Sequence, residues 1–273
     1  MINSGNKLKL SATSAFVLLL AKQGCYKTRS TKLYLNQLDL NEGMLLYNWC
    51  REVCSFYDEV IKNRKFGVLN LVNKYFSDGT QNQQLVIAGA GLDPLSIEVK
   101  ELYPNSKIFE LDEENMDIKS DLYSKSGNIS FIQANLLNAS GVYKNLAEHG
   151  WSPLKPTLLV FEGISYYLHL DSIQNLFKVL NPEFIIFEFL KPENEIAVDR
   201  VDIPKKVFDK ISSMCELPFI GRFGYEQLEK LFTPFLLKGK FSMQRLERMR
   251  TGSNKFFPSD ESGWIEVCLL KNK

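Results

Sequence analysis

Between residues 85 and 189 five short runs recur in which nearly every position is apolar: LVIA (85–88), KIFEL (107–111), ISFIQA (129–134), TLLVFE (157–162) and FIIFEF (184–189). A strand with one wet face alternates apolar and polar residues, whereas an unbroken apolar run is covered on both faces. Stretches with helical spacing lie between the runs, at 94–103, 113–125, 138–148 and 171–180. Strands alternating with helices in this way make a parallel sheet with crossover helices. The fold class is therefore α/β, doubly wound, with a mostly parallel sheet. Pro104 ends the first of these helices, and Asp171 is placed as the N-cap of the last.

The flanks differ from this centre. Up to residue 80 the spacing is helical: Phe16, Leu19 and Leu20 share a face, as do Leu45, Trp49, Val53, Phe56 and Val60, and then Phe66, Leu69, Val72 and Phe76. Asp78-Gly79 and the polar QNQQ mark a boundary. Residues 1–80 are thus expected to form an N-terminal helical extension or lid, and residues 81–273 a core with a substrate-covering insertion near 190–225. The run ATSAFVLLLA, preceded by Lys7 and Lys9 and followed by Cys25, has the outline of a secretion signal. Lys22 and Gln23 spoil its cleavage region, and it is shorter than the ~20 residues a membrane span requires. It reads as a buried helix. Beyond helices near 204–214 and 225–232, KGKFSMQRL and WIEVCLLK are expected to pair antiparallel at the sheet edge.

Charge narrows the partners. With 33 Lys and Arg against 32 Asp and Glu in 273 residues, the net charge is +1, and no single-sign field draws the chain to nucleic acid or to an anionic membrane. The cluster Arg245, Arg248 and Arg250 is read as a solvated face answered by Glu247. The five cysteines are scattered without the spacing of a zinc site, and Cys50 and Cys54, one helical turn apart, read as small buried apolar groups. A reducing cytoplasm suits them, and no metal is expected.

The centre also carries the chemistry. Ligands of an open parallel sheet bind at the carboxyl ends of its strands. The first run ends in A-G-A-G, where Gly89 and Gly91 permit positive φ and bring a ligand against bare backbone, with Ala90 between them. The second run ends at Asp112, where a carboxylate can accept both hydroxyls of a ribose. A dinucleotide fingerprint would place a third glycine at position 94, but Pro94 stands there behind Asp93, an acid that would repel a pyrophosphate. A ligand with a ribose and no phosphate fits better, and S-adenosylmethionine is the common one. An NAD-linked dehydrogenase is disfavoured for the same reason.

Three motifs in order, GAGLD (89–93), FELD (109–112) and PTLLVFEGISYYL (156–168), resemble the leucine carboxyl methyltransferase family of class I methyltransferases. That family includes polyketide-type O-methyltransferases and the enzyme that methylates a phosphatase's C-terminal leucine. The similarity runs over roughly residues 50 to 190. It implies S-adenosylmethionine as cofactor, with Gly89, Ala90 and Gly91 under its methionine portion and Asp112 on its ribose. Asn135-Leu136 stands where the family has Asp-Leu, and the amide can serve the adenine. Glu162 matches the acid near the cofactor's amino group. Arg64 in IKNRKF matches the arginine that pairs with the methionine carboxylate, or else is a solvated helix charge between Lys62 and Lys65. Tyr167 matches the tyrosine near the transferable methyl, and His169 is either a general base or a surface or capping residue. Tyr166 is expected to pack, and His149 to be structural.

The expectation is an S-adenosylmethionine-dependent O-methyltransferase acting on a carboxylate or hydroxyl of a small molecule or carrier-bound metabolite. The alternatives are a protein C-terminal carboxyl methyltransferase and a non-catalytic S-adenosylmethionine-binding protein.

Overall fold

The computed structural model describes residues 7–22, 25–78, 82–123, 129–215 and 220–273. Its elements begin with strand β1 (Leu8–Lys9), helices α1 (Ala12–Ala21) and α2 (Arg29–Leu35), strand β2 (Leu38–Asp39), and helices α3 (Gly43–Val53) and α4 (Tyr57–Asp78). The alternating centre follows: β3 (Gln84–Ala88), α5 (Leu95–Leu102), β4 (Lys107–Asp112), α6 (Met116–Leu122), β5 (Ile129–Gln133), α7 (Ala139–Glu148), β6 (Thr157–Phe161), α8 (Leu170–Leu180) and β7 (Phe184–Leu190). The C-terminal part adds α9 (Asp202–Cys215), α10 (Tyr225–Phe232), β8 (Phe235–Ser242), α11 (Met243–Thr251) and β9 (Ile265–Asn272).

The seven-stranded sheet has the order β5-β4-β3-β6-β7-β9-β8. Its first five strands are parallel, β9 is antiparallel to β7, and β8 is antiparallel to β9. The five apolar runs are the five parallel strands, and every residue of β3 and β6 is buried. Helices on both faces supply that cover, so the doubly wound reading holds. After β5 the chain returns past β4 and β3 to lay down β6, so the winding reverses between β3 and β6. At such a reversal the carboxyl ends of adjacent strands open a crevice.

The run ATSAFVLLLA is α1, with Ala15, Phe16, Leu18, Leu20 and Ala21 buried. α1 packs against α3 and α4, and α4 lies against β9 and α11, so the N-terminal helices share the core of the sheet. No described helix is long and apolar enough to cross a membrane.

Four local expectations are corrected. The segment KGKFSMQRL is strand only to Ser242, whose hydroxyl accepts the Arg245 N–H at 3.3 Å and caps α11. Glu247 does not answer the arginines: it is 1% exposed and accepts the backbone N–H groups of Phe256 and Phe257 at 3.0 and 2.9 Å. Arg250 instead reaches α4, donating to Asn63 at 2.7 Å and pairing with Glu59. The Leu45–Val60 periodicity spans two helices, since the chain turns extended at Cys54, and Leu45 faces outward at 77% exposure. The N-cap of α8 is His169, which leaves Asp171 in the first turn, where its charge still favours the helix dipole.

Candidate active site

β3 runs into a turn in which Gly89 has φ +66° and Gly91 φ +46°. The N–H groups of Gly89 and Ala90 both donate to the Leu111 carbonyl of β4, at 2.8 and 3.1 Å, tying the turn to the neighbouring strand end. A Cβ at Gly89 would lie 2.6 Å from Ile164, so packing requires glycine there. A Cβ at Gly91 would meet nothing within 4 Å. The second glycine therefore borders open space. Asp112, half-buried at the end of β4, accepts the Gly91 N–H at 2.8 Å through one oxygen and the Glu114 N–H at 3.1 Å through the other. Each oxygen retains acceptor capacity for a ligand.

Beneath the turn, Lys119 of α6 donates to the carbonyls of Gly91 and Asp93 at 3.0 and 2.6 Å, and pairs with Glu110 of β4 at 2.6 Å. Both side chains are fully buried. Burial pushes the Glu110 pKa up against the opposing pull of Lys119.

Across the crevice, α4 sends Arg64 and Lys65 into a buried cluster of charge. Arg64 Nε lies 3.1 Å from Glu162, just past β6, and its Nη1 lies 3.7 Å from Glu188 of β7 and 3.5 Å from the Tyr166 hydroxyl. Lys65 Nζ lies 2.9 Å from Glu162 and 2.7 Å from Asp93. Asp93 also accepts the Tyr26 hydroxyl at 2.6 Å. Burial alone would lower the Arg64 pKa, but Glu188, then Tyr166 and Glu162, outweigh it and hold the guanidinium charged. Burial would raise Asp93, and Lys65 outweighs it, so that carboxyl stays below its ordinary value. Glu188 goes the other way, because its burial exceeds what Arg64 returns. Two cations thus face three carboxyl groups, one negative charge over when all three are ionised.

Gly89, Ala90, Gly91 and Asp112 meet at one edge of the crevice, with Arg64 and Glu162 on its other side. The solvated-charge alternative for Arg64 is excluded, since the residue is 3% exposed. Asn135 lies at the end of β5, its carbonyl oxygen accepting the Leu137 N–H at 2.8 Å and its amide donating to Glu113 at 3.1 Å; Leu136 beside it is buried. Tyr167 is half-buried in a single 3-10 turn, Ser165–Tyr167, with the buried Tyr166 ring 4.7 Å away. Tyr166 packs as expected, 5.1 Å from Phe208 of α9. His169 is exposed, outside this cluster, and its carbonyl accepts the first N–H groups of α8. His149 Nδ1 donates to the Asn145 carbonyl at 2.7 Å, at the end of α7.

Sequence reasoning missed Lys65, Glu188, Glu110 and Lys119. Two of them had a signal: an acid inside an apolar run, as in I-F-E-L and I-F-E-F, is costly unless a partner meets it.

Solved structures share this architecture. A DUF574 family protein from Streptomyces avermitilis superposes with a TM-score of 0.68 at 12% identity, over 96% of this chain and 98% of that one. A structure described as a putative methyltransferase from Thermobifida fusca gives 0.69 at 13% identity, over 92% and 97%. An S-adenosylmethionine-dependent methyltransferase from Anabaena variabilis gives 0.51 at 13% identity, over 77% and 86%. At such identities the likeness is one of fold. No curated protein matches the chain in sequence. The family model described as leucine carboxyl methyltransferase matches residues 57–181, which include α4, the glycine turn, Asp112 and the Tyr166–Tyr167 turn. Fold and family match together identify an S-adenosylmethionine-dependent methyltransferase of class I architecture. The stretch matched by the leucine carboxyl methyltransferase model, 57–181, contains the three motifs in order.

Proposed function

We propose that this chain transfers a methyl group to oxygen, on a carboxylate or hydroxyl of a small molecule or carrier-bound metabolite, and that a carboxylate is the favoured acceptor. The observation that carries the reading is the open glycine turn bonded to Asp112 beside a buried cluster with one negative charge over. S-adenosylmethionine, with an ammonium, a sulfonium and a carboxylate, has the complementary net charge. The residues present fit it. Asp112 would accept the ribose hydroxyls, Gly89, Ala90 and Gly91 would pass beneath the methionine portion, and Asn135 and Leu136 would border the adenine. Glu162 would face the ammonium. Arg64 would take the carboxylate through Nη2, which lies 3.9 Å from where a Cβ on Gly163 would sit.

When bound, the cofactor supplies an electrophilic methyl carbon. The protein's part would be alignment and exclusion of water, with Tyr167 near the transferable methyl and α9 packed against the neighbouring Tyr166 through Phe208. A cytoplasmic location is favoured by the five free cysteines, three of them buried.

Calorimetry with S-adenosylmethionine tests the reading. Replacing Asp112→Ala removes two charge-assisted hydrogen bonds to the ribose, roughly 3–6 kcal/mol at about 1.5–3 each. Affinity within tenfold of the wild type, about 1.4 kcal/mol, would refute the assignment.

A further inference from the structure

We infer that Arg222 is a specificity residue that receives an anionic group, a carboxylate, of the methyl acceptor. This role rests on the methyltransferase reading above and names a residue for its other substrate.

Residues 221–223 are strapped over the carboxyl ends of the central strands. The Gly221 N–H donates to the Tyr166 carbonyl at 2.8 Å, and the Phe223 N–H donates to the Leu190 carbonyl at the end of β7, at 2.9 Å. Phe223 enters the core, and its ring lies 2.7 Å from where a Cβ on Gly221 would sit. Residues 221 and 223 therefore share the inward side of an extended run, and Arg222 projects from the other side. Its Nη1 is shut off from solvent and has no hydrogen-bond partner.

That is unusual within this protein. Among the described residues, Arg222 Nη1 is the one cationic side-chain nitrogen that is buried and unbonded. Lys65 and Lys119 have carboxylates, Arg200 donates to the Phe256 carbonyl at 2.7 Å, and Lys191 to the Asp260 carbonyl at 3.0 Å. The nearby acids are engaged elsewhere: Glu195 accepts the Tyr225 N–H at 3.4 Å, and Glu266 holds the Tyr225 hydroxyl and Lys240. A buried guanidinium N–H without an acceptor is held at a cost, and an incoming anion relieves it.

Position says which anion. The Tyr166–Tyr167 turn separates two arginines: Arg64 reaches the Tyr166 hydroxyl from the cofactor side, and the strap carrying Arg222 bonds the Tyr166 carbonyl. One arginine then serves the cofactor and the other serves the acceptor. The planar guanidinium fork matches a carboxylate in a way that a lysine does not.

The test uses full-length protein saturated with S-adenosylhomocysteine, with benzoate and hexanoate as probes and benzamide as the neutral control. Both carboxylates should bind the wild type measurably by calorimetry, and benzamide at least tenfold more weakly. Arg222→Met should weaken the carboxylates at least thirtyfold, Arg222→Lys should recover part of the loss, and S-adenosylhomocysteine affinity should stay within threefold in both. Since Nη1 bonds nothing in the free protein, Arg222→Met should leave the Tm of the ligand-free protein undiminished, whereas a structural arginine would lower it. Equal carboxylate affinity in wild type and Arg222→Met, or a lowered Tm in that variant, overturns the role. A wild type that binds no S-adenosylhomocysteine overturns the methyltransferase reading itself, and that measurement stands apart from the carboxylate titrations.

Discussion

Two buried charge systems sit on either side of the glycine turn, and they are built differently. Below it, Glu110 and Lys119 form a closed pair: one carboxylate, one ammonium, and two backbone carbonyls that use the ammonium's remaining protons. Above it, Arg64 and Lys65 share Asp93, Glu162 and Glu188, an odd number of charges with Arg64 Nη2 turned towards bare Gly163. Burial alone does not separate them, because Lys119 is more deeply buried than Arg64. The acids' pKa directions do not separate them either, since burial raises Glu110 against Lys119 and Glu188 against Arg64 alike. Closure does. A set whose charges and donors balance within the fold holds the backbone, and a set left unbalanced is arranged for something that comes from outside.

The largest effect should come from breaking the closed pair. Lys119→Met leaves Glu110 buried without a counter-charge and removes the donor from Gly91 and Asp93, a change that typically costs 3–5 kcal/mol. Urea unfolding should show that loss. Adding Glu110→Gln to the same chain should return a large part of it, since the stranded charge is then gone. If the single variant costs less than about 1 kcal/mol, the pair is not what holds the turn, and the distinction between the two systems fails.

A smaller effect, of the opposite sign, is expected from the open system. Glu188 has its pKa raised above the ordinary 4.5 by burial. The folded state therefore holds this proton more tightly than the unfolded state, and stability falls as pH rises from about 4.5 through the raised value. One such group contributes a slope of at most about 1.4 kcal/mol per pH unit. Glu188→Gln should flatten the decline without the cofactor, while Glu110 and Glu266, also raised chiefly by burial, keep the rest of it. Unfolding free energies of the two proteins from pH 4.5 upward would test this. A variant curve that keeps the wild-type slope would mean that Glu188 stays ionised in the free fold and that its burial does not raise its pKa.

The same contrast explains what the sequence made legible. Strand positions came from unbroken apolar runs, and Gly89, Gly91 and Asp112 were readable because backbone freedom and a strand-end carboxylate are local properties. The partners of Arg64 were not. They lie 98 and 124 positions away, at Glu162 and Glu188, and only the sheet order brings them together. Lys65 and Lys119 look like solvent-facing charges in a helical pattern, yet each is drawn inward by an acid on a strand or turn. α11 was missed because SMQRL continues an apolar rhythm, and the chain changes state there through the hydroxyl of Ser242.

The smallest effect should be at His169, and it bears on which oxygen is methylated. His169 sits exposed at the N-cap of α8 with an extended backbone, outside the buried cluster, and His149 is held at the end of α7. A carboxylate acceptor needs no base, because it is ionised far above its pKa of about 4. A hydroxyl acceptor would need a proton removed during attack, help typically worth about 10²–10⁴ in rate. The open charge cluster need not intrude on this measurement if the cofactor is saturating, since kcat reports the bound complex, in which a net positive ligand favours ionised Glu188. With a carboxylate acceptor, kcat should be nearly flat from about pH 6 to 9, and His169→Ala should change it less than about threefold. A rise through that range lost together with about a hundredfold of rate in His169→Ala would make this histidine the base of a hydroxyl methyltransferase, and would move part of the machinery to the exposed start of α8.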